Sequence, residues 1–70
     1  MKDSVYMLVV DVWRLAWGFG FRKLGDSDWE AFIDRGEKLV KRYQESGAVM
    51  ERLCRDMLSA FQEFYQQIGK

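Results

Sequence analysis

The side chains that could do chemistry are few, and their placement argues against catalysis. The sequence holds no histidine and a single cysteine, Cys54. Without histidine, the usual general base near neutral pH and the usual nitrogen ligand for a metal are both missing. Cys54 could be a nucleophile, but it falls on an apolar seam, where cysteine behaves as a small buried hydrophobe. The carboxylates Asp34, Glu37, Glu51 and Glu63 fall on helix faces predicted to be solvated, poor ground for paired acid–base work. Gly18-Phe19-Gly20 ends a helix instead of starting one, the wrong end for an anion. The sequence therefore reads as a non-enzyme with no cofactor and no metal site.

What remains is recognition chemistry. Val10, Trp13, Arg14, Trp17 and Phe21 become contiguous when their stretch is wound as a helix. Tryptophan, tyrosine and arginine are the types enriched at binding hot spots. An arginine beside an aromatic plane can also hold a nucleobase and its phosphate. On that reading Trp13, Trp17 and Arg14, or Arg22 with Lys23, would grip a nucleotide at a subunit interface. The plainer alternative is that Trp13 and Trp17 fill the core of a small aromatic-rich domain. Sequence leaves both open.

The element that must position these residues is Val5 to Phe21 (VYMLVVDVWRLAWGFGF). At about 100° per residue, Asp11, Arg14, Gly18 and Arg22 fall on one narrow polar strip, and the rest is apolar. Val5, Val9, Val12, Ala16 and Gly20 line the middle of the arc. Leu8, Leu15 and Phe19 form one flank; Tyr6, Val10, Trp13 and Trp17 form the other, continued by Phe21. The arc is about twice the width expected of an outer helix in a small bundle. Such a helix is either central in its domain or in contact with a second molecule. A strand is disfavoured, because Leu8-Val9-Val10 does not alternate and no second strand-like run exists. Asp3 or Ser4 can cap this helix, Asp11 and Arg14 can pair on its solvent side, and Gly18 and Gly20 weaken its end.

Arg22 to Asp28 (RKLGDSD) reads as a turn, with Ser27 and Glu30 as a capping box and Asp26 as the competing cap. Trp29 to Glu45 is amphipathic, with Trp29, Phe32, Ile33, Gly36, Leu39, Val40 and Tyr43 on one stripe. Gly36 on that stripe is expected to admit a large neighbour. Asp34 with Lys38, and Glu37 with Lys41, are oriented for pairing on the outside. Gly47 ends this helix. In the third helix Met50, Cys54, Met57, Phe61, Phe64 and Ile68 form a heptad-like seam, widened by Leu53, Leu58, Ala60 and Tyr65. The expected fold is all-α: a single domain over residues 1–70, a compact three-helix bundle with helices about 4–21, 28–46 and 48–68, in which the second and third form an antiparallel hairpin.

Seventy residues bury a limited core, and oligomerisation is a common staple at this size. A homo-oligomer is accordingly expected. Basic and acidic residues both number 11, for a formal charge of zero. By segment the net charge is +2 over residues 1–25, −2 over 26–47 and zero over 48–70. No segment is basic enough to rely on phosphate neutralisation, so duplex DNA is not an expected partner. Asp11 and Arg14 break the only run that could serve as a signal peptide or a membrane span. A lone cysteine fits a reducing compartment, so a cytoplasmic location is expected.

The layout Tyr6, Val12-Trp13-Arg14, Asp28-Trp29-Glu30-Ala31-Phe32, Leu39-Val40-Lys41-Arg42-Tyr43, then Leu53, Arg55-Asp56-Met57-Leu58 and Ala60 resembles a group of very small helical proteins encoded in phages, prophages and integrative elements of Firmicute bacteria. The likeness runs over most of the chain. It implies a mobile-element accessory protein with no catalytic residues to carry over, acting in the cytoplasm of a bacterial host. Proteins of this kind often occupy a host target: some inhibit defence systems by binding protein, and others sequester nucleotide immune signals. The expectation is a self-associating interaction protein that binds and inhibits a host defence component. A nucleotide sponge or a structural or regulatory subunit are the alternatives.

Overall fold

Three helices form where apolar side chains recur at helical spacing, and glycine marks the breaks. A computed structural model describes the chain from Lys2 to Ile68, with side chains from Asp3 onward. Helix α1 spans Lys2–Trp17, α2 Asp26–Gln44 and α3 Ala48–Ile68. The described residues hold no strand, and all three helix pairs pack together as a three-helix bundle.

Helix α1 ends four residues earlier than the expected 21. The Gly18 N–H still reaches back to Arg14 O at 3.0 Å, but Phe19 and Gly20 bond only three residues back, to Ala16 O and Trp17 O. Gly20 and Phe21 then take positive φ, 75° and 51°, and reverse the chain. Glycine does this freely; phenylalanine does so against the clash of its Cβ. At the other end Asp3 and Ser4 lie inside the first turn of α1 and do not cap it.

Helix α2 starts two residues before the expected 28. Gly25 is its N-cap, with extended backbone and no side-chain cap. The capping box of Ser27 and Glu30 therefore does not form. Asp26 and Asp28 instead stand in the first turn, where negative charge meets the positive end of the helix dipole. Glu45 is the C-cap, and Gly47, at φ 109°, makes the tight turn into α3.

Within the polar strip, Ser4, Arg14, Gly18 and Arg22 are exposed, but Asp11 turns inward. Half-buried Asp11 accepts a hydrogen bond from the Tyr43 hydroxyl at 2.6 Å and lies 3.6 Å from the Arg42 guanidinium, so its partners are on α2 and not the expected Arg14. Burial first, and the Asp11 bond second, push the Tyr43 phenol up to about 12. This contact fixes how α1 is rotated against the hairpin. Leu8 and Val12 then pack into a core with Val40, Tyr43, Met50, Cys54 and Leu58. Phe19, Leu24, Phe32 and Tyr65 make a second core around the chain reversal, and Leu15 and Phe61 bridge the two.

Two smaller expectations change in the same way. The buried line of α3 is Met50, Cys54, Leu58 and Tyr65, while Phe64 and Ile68 of the expected seam are partly exposed. A strict heptad drifts by about 20° per repeat on a straight helix, so in a short uncoiled bundle the buried line slides by one position. Gly36 admits a large neighbour as expected, the side chain of Leu58. Asp34 and Lys38 pair at 3.1 Å as expected, whereas Glu37 and Lys41 form no ion pair among the described residues.

Candidate interaction surface

With α1 rotated by Asp11, its leucine flank is inside and its tryptophan flank is outside. Tyr6 is 68% exposed, Trp17 64% and Trp13 48%, with Val9 also exposed and Val10 half-buried. Trp13 and Trp17 therefore do not fill the core. They are successive turns of one helix face, their ring centroids 5.8 Å apart.

Phe21 does not continue this flank as part of the helix, but it returns to it through the reversed turn. Its ring lies 5.6 Å from Trp13 and 6.1 Å from Trp17. Tyr65 holds it there. The Phe21 N–H donates to the Tyr65 hydroxyl at 3.1 Å, and that hydroxyl donates to Ala16 O at 2.5 Å. The two rings stack with 3° between their planes. A buried tyrosine thus satisfies the frayed end of α1 and sets a strained residue against the tryptophans.

Helix α3 supplies the other bank. Phe64, 43% exposed, sits 6.1 Å from Phe21. Trp13, Phe21, Ala60, Phe61 and Phe64 enclose a shallow depression of about 410 Å³ whose wall exposes no polar atom. Val49, Leu53 and Ala60 share this flank of α3 by helical spacing, interrupted by the exposed Asp56, which pairs with Arg52.

The charged residues singled out with this cluster stand apart from its wall. Arg14 is exposed beside the stripe, and Lys23 is exposed in the turn. Arg22 lies 3.9 Å from Asp28, across the loop. Sequence reading overlooked Tyr65 as the residue that positions Phe21. It also put Phe64 in the core seam, one position out of phase.

Elsewhere the chemistry is sparse. Cys54 is fully buried, and burial raises its thiol above the ordinary range. The described residues contain no group of three or more potential metal ligands among Cys, Asp and Glu. No described helix is long and apolar enough to cross a membrane. A second concavity of about 530 Å³ lies between α2 and α3, lined by Gly36, Val40 and Leu58 together with Glu37, Lys41 and Arg55.

Compared with protein-family models, curated proteins and solved structures, the chain has no match.

Proposed function

We propose that this chain is a non-enzymatic interaction protein that docks a protein partner on the face built by α1, Phe21 and α3. One observation carries the reading: two tryptophans of one helix stand about half exposed or more beside an apolar depression, in a chain small enough to have used them as core. Exposed aromatic clusters of this kind, rimmed by polar residues, are where binding energy concentrates. The uncharged wall suits an apolar side chain better than a nucleotide, whose phosphates need cationic partners. The resemblance to small proteins of Firmicute phages and mobile elements supports a setting for that partner: a component of bacterial defence, bound in the host cytoplasm and inhibited by occupancy.

The test is a plating assay in a bacterial host carrying such a defence system. Expression of the wild-type chain is expected to restore phage plating, and a Trp13→Ala/Trp17→Ala variant of unchanged helix content is expected not to. Equal restoration by the variant would remove the aromatic face from the function. No restoration by the wild type across a panel of defence systems would overturn the setting.

A further inference from the structure

We infer that the aromatic face is covered by a second copy of this chain, in a two-fold pair built on α1 against α1. The inference rests on reading this face as an association surface, and it names the occupant.

Area is the first argument. An aromatic side chain carries about 150–250 Å², so Tyr6, Trp13, Trp17 and Phe64 at their observed exposures leave roughly 450 Å² of largely apolar surface open. Val9, 41% exposed, extends it along α1. The largest patch on a typical monomer is about 300–600 Å², and a stable pair buries about 800 Å² on each partner. The open face therefore matches the largest patch of a typical monomer and supplies a little over half of what a dimer needs.

Self-complementarity is the second. A two-fold pair brings one patch against itself, so the patch must tolerate its own charge and its own shape. Tyr6, Val9, Val10, Trp13 and Trp17 carry no charge, and the chain as a whole has a formal charge of zero. Tyr6 and Trp17 are equidistant in sequence from the midpoint between Val10 and Trp13. Antiparallel pairing about that midpoint sets Tyr6 across from Trp17 of the other copy and the small Val10 across from the large Trp13. Large then meets small near the axis, which is how facing helices interdigitate. The pair uses the surface a target would use, so self-association and target binding exclude one another.

Mass by light scattering and native mass spectrometry over a micromolar dilution series tests this, with helix content followed by circular dichroism. The wild type is expected at twice its 8.3 kDa, falling to the monomer on dilution. Trp17→Glu and Tyr6→Glu are expected as helical monomers over the same range. Should Trp17→Glu fail to fold, Tyr6→Glu decides, because its side chain lies farther from the reversed turn. A wild type monomeric at every concentration would overturn the pair. Loss of plating activity in the Trp13/Trp17 variant would in that case leave the docking reading standing. A wild-type dimer that both glutamate variants form equally well would place the interface elsewhere and overturn the inference.

Discussion

Phe21 and Tyr65, 44 positions apart, are joined twice: the Phe21 N–H donates to the Tyr65 hydroxyl at 3.1 Å, and their rings stack almost parallel. The same hydroxyl donates to Ala16 O, so one phenol oxygen bridges the end of α1 and the residue that reverses the chain. The aromatic face depends on a buried side chain that is not itself part of it.

Tyr65→Phe isolates that oxygen. The ring stays and the Phe21 N–H loses its only hydrogen-bond partner among the described residues. A loss of about 1–3 kcal/mol in urea unfolding is expected, the size of leaving buried polar groups unpaired. An unchanged midpoint would mean that ring packing alone holds the turn.

Stability should fall at alkaline pH through Tyr43. Its phenol is held protonated in the fold, at about 12 against 10.0 for the free group, so the folded state retains a proton the unfolded chain releases. That stabilisation is fully present below pH 10 and is lost as pH rises towards about 12. The raised Cys54 thiol acts in the same direction from a lower starting pH. Tyr43→Phe should flatten the upper part of the decline in a pH series of thermal melts. A slope unchanged by the substitution would show that the titration belongs to another group.

Gly36→Ala should stabilise the protein. An added Cβ would stand 3.5 and 3.7 Å from the two methyls of Leu58, ordinary contact distances. Replacing glycine by alanine inside a helix gains about 0.5–1 kcal/mol. A lower melting temperature would mean that Leu58 needs the closer approach.

The Cys54 thiol should resist modification in the native state. It is fully buried, and its raised pKa keeps it protonated near neutral pH. Reaction with a thiol reagent is expected to be slow in buffer and fast in urea, tracking the unfolded fraction. Rapid native reaction would place the sulfur near a surface.

Much of the architecture was legible because α2 and α3 each carry a clear apolar stripe and Gly47 divides them. Helix α1 was harder, for a physical reason. Its apolar arc offers two flanks of nearly equal hydrophobicity, and periodicity cannot choose between Leu8 with Leu15 and Trp13 with Trp17. The choice is made by a polar contact, Asp11 with Tyr43, between residues 32 positions apart. Similarly, Gly18 and Gly20 announced a weak helix end, but nothing local showed that Phe21 would fold back onto its own helix. That requires Tyr65, from the far end of the chain. The residues of the candidate surface were named from their types, and their exposure came from long-range contacts.

The second core is lined by Phe19 and Leu24, both outside any helix, so the segment joining α1 to α2 is anchored in the interior at two points although its other residues lie nearer the surface. Chain cleavage, peptide tags or added residues are expected to be poorly tolerated there. The bend at Ser46 and Gly47 is exposed on both sides and lines neither core. The molecule therefore divides unevenly for anyone who would take it apart. Cutting at Gly47 leaves α1, the turn and α2 on one stretch of chain, and the turn folds back only when α3, supplied in trans as a separate peptide, brings Tyr65 to it.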